Sequence, residues 1–255
     1  MITKKQNTLR IKMKNKNQFI IYALSLFLLI GTTSAQQENK PLNYKVREHI
    51  EAGAQPPVLF LLHGYGGNKS QFKDAMKVID RRFLIVSINA PYGNFFRLSN
   101  WWYEFAISNG DTTSNQIQVE YSISRLLATM DAIQNKYKFD NERIYIGGYS
   151  QGAILSYKLA LLYPEKFSGA VVHSARLPVK YSIKTSTAPY EGLDMLIIHG
   201  KNDAVLTTKW ATQGVNLFKR LGADVEYYEG DFGHERTEKS ILQMSRWLKE
   251  RIDEN

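Results

Sequence analysis

The sequence predicts an α/β domain built on one mostly parallel central sheet with helices on both faces. Three observations predict it. Short apolar runs alternate with longer segments of helical period from residue 58 onward, the order that builds a parallel sheet. Those runs, such as Val58-Leu59-Phe60-Leu61-Leu62, are apolar on both faces, as strands covered on both sides must be. Several of them end in glycine-containing polar stretches, and in open α/β sheets reactive groups gather at the carboxyl ends of strands.

Taken in order, residues 36–42 are polar and read as a flexible lead-in. Asn43 to Ile50 reads as an edge strand, with Tyr44 and Val46 on one face. Val58 to Leu62, bounded by Pro56-Pro57 and His63-Gly64, is a central strand. Ser70 to Asp80 has the spacing of a short helix, carrying Phe72, Met76 and Ile79 on one side. Phe83 to Ile88 is the next buried strand. Pro91 to Gly110 shows little periodicity but is crowded with Tyr92, Phe95, Phe96, Trp101, Trp102, Tyr103 and Phe105. A long irregular stretch in a compact domain is more often functional than idle. These aromatics read either as core or as the lining of an apolar site.

Gln116 to Tyr137 is a helix with Ile123, Leu126, Leu127, Met130, Ile133 and Tyr137 on one stripe. A strand follows to Tyr149, then a helix from Gly152 to about Leu162, stopped before Pro164. Phe167 to His173 is a strand, Ala175 to Glu191 a loop, and Leu193 to Ile198 a strand again. Thr207 to Leu221 is helical with Gly222 as its carboxyl cap, Asp224 to Tyr228 is the last strand, and Thr237 caps the last helix. With no internal repeat and no linker, residues 43–255 read as one domain.

The amino terminus sets the compartment. Six basic residues (Lys4, Lys5, Arg10, Lys12, Lys14, Lys16) precede an apolar-dominated run of 12 residues from Phe19 to Ile30, followed by Gly31-Thr32-Thr33-Ser34-Ala35. That is the form of a secretory signal peptide over residues 1–35. The run is shorter than the ~20 residues that span a bilayer, which favours cleavage over anchoring. Removing it leaves 27 basic against 24 acidic residues, so the net charge drops from +9 to +3 and no nucleic-acid partner is implied. The chain has no cysteine, which removes disulfides and thiolate chemistry and suits a bacterial periplasm or an extracellular setting. No stable membrane insertion is expected after cleavage.

The stretch Ile144-Tyr145-Ile146-Gly147-Gly148-Tyr149-Ser150-Gln151-Gly152 is the G-x-S-x-G form of a strand–turn–helix nucleophile elbow. The pentapeptide alone is a weak signal; the polar residues beyond the other strand ends give it weight. A serine needs an imidazole to take its proton, and the imidazole needs a carboxylate to orient it. The strand ending at Ile198 is followed by Asp203, and the last strand by Asp231 and His234. Ser150, Asp203 and His234 fall in the chain order of the α/β-hydrolase triad. Asp231 competes for the acid, although its closeness to His234 suits a turn-shaping role better. Of the other histidines, His49 reads as a surface residue and His63 and His199 as braces for their loops. His173 ends a strand beside the serine and is read as a pocket-lining residue. Two backbone donors are expected for the oxyanion, Gln151 after the nucleophile and Tyr65 in the His63-Gly64-Tyr65-Gly66-Gly67 loop.

Together, Leu61-Leu62-His63-Gly64-Tyr65-Gly66-Gly67-Asn68, Gly148-Tyr149-Ser150-Gln151-Gly152, Trp102-Tyr103-Glu104, His199-Gly200 with Asp203, and Gly233-His234-Glu235 resemble the phospholipase/carboxylesterase family, over roughly residues 55–252. That family includes bacterial carboxylesterases and acyl-protein thioesterases. The resemblance implies an α/β-hydrolase fold, Ser150, Asp203 and His234 as triad, Tyr65 and Gln151 as oxyanion donors, and Trp102 beside the acyl pocket. The chain departs from it in its signal peptide, since the thioesterases act in the cytosol, in its crowded Phe95-Phe96 and Trp101-Trp102, and in His173, where a small apolar residue is usual. The expected function is a secreted serine esterase acting on a small-molecule ester through an acyl-enzyme, with no cofactor and no metal. A prolyl-oligopeptidase-like peptidase would share the triad but lacks its gating domain here. A binding protein on a hydrolase scaffold would not need all three triad positions filled.

Overall fold

The apolar runs pair as a seven-stranded sheet because each has apolar side chains to bury on both faces. The computed structural model describes residues 40–50, 55–94, 98–108, 111–180 and 190–253. The predicted signal peptide and Phe95-Phe96 lie outside them. The strands, in chain order, are β1 (Tyr44–Arg47), β2 (Val58–Leu62), β3 (Leu84–Ile88), the short β4 (Tyr92–Gly93), β5 (Asn100–Trp101), β6 (Phe105–Ser108) and β7 (Asp111–Ser114), then β8 (Ile144–Tyr149), β9 (Gly169–His173), β10 (Asp194–Gly200) and β11 (Asp224–Gly230). The helices are α1 (Ala75–Val78), α2 (Gln116–Tyr137), α3 (Gln151–Leu162), α4 (Thr208–Leu221) and α5 (Glu238–Asp253).

The sheet runs β1-β3-β2-β8-β9-β10-β11, with every pair parallel except the edge pair β1–β3. Alternation along each strand divides the core in two. Val58, Phe60 and Leu62 face one layer with residues of α2, α3 and α4, while Leu59 and Leu61 face the other with residues of α1 and α5. Helix α3 is buried along almost its whole length, which explains its nearly all-apolar sequence. Gly222 does cap α4 in the left-handed conformation, at φ 94°.

Two expectations change. The helix over Ser70–Asp80 shrinks to Ala75–Val78, because the backbone before it is spent in turns: Asn68 accepts from Ser70 N–H through its side chain and from Gln71 N–H through its carbonyl. The aperiodic aromatic stretch is not structureless, since β4 pairs with β5 and β6 with β7 as two short antiparallel ribbons.

The chain runs from β2 out to β3 and returns to β8 on the other side of β2. That reversal opens a crevice between the carboxyl ends of β2 and β8, where open α/β sheets bind ligands. Leu62 and Gly148 are register partners there, as are Tyr149 and His173 one strand further on.

Candidate active site

Ser150 stands at that crevice in a conformation side chains rarely adopt, φ 51° and ψ −117°. It is held there by its neighbours. A Cβ on Gly152 would run into the carbonyl oxygens of Leu62 and His63, so only glycine lets α3 start this close to β2. Gly148 is fixed in the same way by the backbone of Gly152 and Ala153. The Ser150 N–H donates to the His173 carbonyl at 2.9 Å, pinning the turn to β9.

The other residues arrive from separate strand ends. Ser150 Oγ lies 3.0 Å from His234 Nε2, and His234 Nδ1 lies 2.7 Å from Asp203 Oδ2. The Asp203 side chain is fully buried, and its Oδ1 accepts from the N–H groups of Val205 and Leu206 at 2.9 and 2.7 Å. Those donors fix the direction of the carboxylate. With Nδ1–H donated to Asp203, His234 Nε2 is the acceptor that faces the serine hydroxyl. Asp231 is turned elsewhere, taking a 2.8 Å bond from the Asn202 amide, so Asp203 is the carboxylate that meets His234.

The loop after β2 is ordered peptide by peptide. Gly64 N–H donates to Gln71 Oε1, Gly66 N–H to the Asn100 carbonyl and Gly67 N–H to the Gly64 carbonyl. The Gly64 carbonyl lies 2.7 Å from His63 Nδ1 as well. His63 Nε2 accepts from Ala90 N–H at 3.0 Å, so Nδ1 carries the proton and donates. Burial pushes the His63 pKa down to about 4, which keeps that tautomer neutral in ordinary buffers. Because a peptide is planar with N–H opposite C=O, locking the Gly64 carbonyl also locks the Tyr65 N–H, pointing the other way. Gln151 is the first residue of α3, whose leading N–H groups have no partner within the helix.

Two residues expected at the substrate are not placed to touch it. Trp102 is fully buried: its indole N–H donates to the His63 carbonyl at 2.8 Å and its ring packs on the His63 imidazole. It supports the loop after β2 instead of lining a pocket. His173 is only 6% exposed, with Nδ1 3.0 Å from Ser174 Oγ and Nε2 2.9 Å from Ser240 Oγ. Burial pushes its pKa down to about 3, helped by Arg236, His199 and His234 nearby. It braces the start of α5, and its ring packs on Phe232. His63 and His199 do brace their loops; His199 Nε2 lies 2.7 Å from the Leu206 carbonyl.

The motifs in the sequence give no hint of what the side chains on either side of the serine do. Tyr149 donates its hydroxyl to the His234 carbonyl at 2.7 Å, and its ring lies 5.4 Å from the His234 imidazole. Gln151 accepts from Trp102 N–H at 2.9 Å and donates to the Tyr103 carbonyl at 2.8 Å. Among the described residues, no group of three or more His, Cys, Asp or Glu converges as a metal site would.

A family model described as phospholipase/carboxylesterase matches residues 46–252, which take in β2 to β11 and every residue of this site. The chain belongs to that family. Membership makes it a hydrolase of carboxylic esters. Acyl-protein thioesterase 1 of Candida albicans is 26% identical over 220 residues, covering 79% of this chain and 94% of that protein. Among solved structures, the Bacillus cereus carboxylesterase superposes with a TM-score of 0.72 at 21% identity, over 84% of this chain and 96% of that one. A carboxylesterase from Mesorhizobium loti gives a TM-score of 0.68 at 22% identity, over 83% and 99%. The fold of this family member is therefore the α/β-hydrolase fold that the sequence predicts.

Proposed function

We propose that this carboxylic ester hydrolase works through a serine acyl-enzyme, with Ser150 as nucleophile, His234 as general base and acid, and Asp203 as the group that orients His234. The observation that carries the reading is the unbroken relay of 3.0 and 2.7 Å from a conformationally strained serine to a buried carboxylate. Ser150 Oγ attacks the ester carbonyl while His234 Nε2 takes its proton, and Asp203 stabilises the imidazolium that results. His234 returns the proton to the departing alkoxide, leaving an acyl ester on Ser150. Water, deprotonated by the same nitrogen, then releases the acid. The N–H groups of Tyr65 and Gln151 stabilise the oxyanion in both steps, the first because its peptide is locked by His63, the second from the start of α3.

Ser150→Ala tests the reading. Turnover of a p-nitrophenyl ester falls by at least ~10⁴-fold, and covalent labelling by a fluorophosphonate disappears, with the circular dichroism spectrum unchanged. Retained turnover or labelling in that variant would falsify it.

We also propose export, which rests on the basic and apolar character of residues 1–35. Expressed in a bacterium with its full amino terminus, the protein is recovered outside the cytoplasm with Gln36 as first residue. Amino-terminal sequencing of that fraction checks it; an intact Met1 terminus in the cytosol contradicts it.

A further inference from the structure

Three aromatic rings on segments that adjoin the elbow do not belong to the core. Tyr65 is 55% exposed and Phe105 44%, and Trp101 is half-buried. Tyr65 stacks on Trp101 with ring centres 6.0 Å apart and planes at 29°, and Phe105 meets Tyr65 edge-on at 5.4 Å and 83°. Single exposed apolar side chains are commonplace, whereas a joined exposed patch marks an interaction site.

Its position says which site. Tyr65 follows Gly64, where an added Cβ would sit 3.4 Å from Ser150 Cβ. Trp101 precedes Trp102, whose N–H is bonded to the side chain of Gln151, the residue after the nucleophile. The rings are thus borne by the two segments that touch the elbow. We infer that Tyr65, Trp101 and Phe105 form a subsite for an aryl group of the ester, making the enzyme select esters that carry an aromatic ring over those that carry a saturated ring of the same size; this rests on the serine-hydrolase reading above.

The arrangement favours an aryl group over the other ring or chain a substrate could offer. A ring added beside one stacked pair and one edge-on ring can match both of the geometries aromatic quadrupoles prefer. An aliphatic chain gains by being enclosed, and these rings are open to solvent on one side. A saturated ring has no quadrupole to match either geometry.

The test compares pairs that differ only in the ring: 2-phenylethyl against 2-cyclohexylethyl acetate, and methyl 3-phenylpropanoate against methyl 3-cyclohexylpropanoate, followed by acid release. The purified enzyme shows a roughly three- to tenfold higher kcat/KM for the phenyl member of at least one pair. Phe105→Leu and Trp101→Leu each bring that ratio toward one, and because the ratio is read within each variant, any general loss of activity cancels. A ratio at or below one in both pairs overturns the subsite, as does a ratio both substitutions leave unchanged. Turnover of no member of the panel overturns it too. Fluorophosphonate labelling of Ser150 then separates the two failures, since it persists if only the subsite is wrong and is lost if the hydrolase reading is wrong.

Discussion

The segment that carries His234, the base loop and the first turn of α5 over residues 231–240, and the aromatic ribbon formed by β4 to β7 both border Ser150, and each is tethered by a neighbour of that serine. Tyr149, just before it, holds the His234 carbonyl, while Gln151, just after it, holds Trp102 and Tyr103. Beyond those tethers the two regions differ. The base loop is fastened again and again: His173 holds Ser240, Asn202 N–H donates to the Phe232 carbonyl, and Arg236 reaches across to Asp74 and the Gln71 carbonyl. The ribbon is also tied, Trp102 to Ser122, Asn100 to Gly66 and Gly67, and Glu104 to Asn115 and Gln118, but mostly through its backbone, and from Glu104 outward its side chains are exposed through Ser108.

The contrast follows from what each region is asked to do. Proton transfer between Ser150 and His234 tolerates little displacement, so the base loop is tied by hydrogen bonds to several other segments of the chain. Recognition of a substituent tolerates more, so an open ribbon suffices. Substitutions should therefore fail differently: in the base loop through stability and kcat, in the ribbon through the choice of substrate.

The largest effect that sharpens this contrast is on stability against pH. His63 and His173 are neutral in the folded protein down to about pH 4 and 3, because burial disfavours their charged forms. In the unfolded chain both bind protons below about pH 6.5. Between those limits the unfolded state holds more protons, so stability falls as the pH is lowered, by up to about 1.4 kcal/mol per pH unit for each histidine. His173→Gln keeps an amide that can bond Ser240 and Ser174 but cannot take a proton. Urea unfolding from pH 7 to pH 5, above the range where carboxylates titrate, should show about half the wild-type loss in this variant. An unaltered slope would mean that His173 is not held neutral by its burial.

The same contrast explains what is legible in the sequence. The strands from Val58 to Ile198 can be read because parallel strands buried on both faces are mostly apolar runs, and the triad positions because each lies just past a strand. Spacing alone does not separate Asp203 from Asp231, since the choice depends on which carboxylate the loop after β10 turns inward. Trp102 reads as a substrate contact through the family resemblance and His173 because it ends a strand beside the serine, yet burial depends on what packs over a residue from elsewhere in the chain. For Trp102 that is His63 and for His173 it is Ser240, each far away in the sequence. The ribbon escapes because pairs two to four residues long leave no period to detect. The two tethers beside Ser150 escape because G-x-S-x-G specifies nothing at its x positions.

Those tethers offer the finest way to break the comparison. Tyr149→Phe removes one oxygen and keeps the ring that packs on His234. Burial and the charge of Asp203 push the Tyr149 pKa up to about 12, so its hydroxyl stays a donor throughout the working range of the enzyme. Its bond is to the backbone of His234 and leaves the imidazole and any substrate untouched, so its loss loosens where the imidazole sits without changing what is bound. A hydrogen bond of this kind contributes about 1 kcal/mol, and applied to the orientation of the base it lowers kcat roughly five- to tenfold with KM unchanged. The rate of fluorophosphonate labelling falls by a similar factor, because labelling uses the same proton transfer. A raised KM at constant kcat would put Tyr149 at the substrate, and no change in either would reduce its hydroxyl to a structural contact. If kcat alone falls, the residue before the nucleophile is part of what positions the base, just as Gln151 after it positions the ribbon.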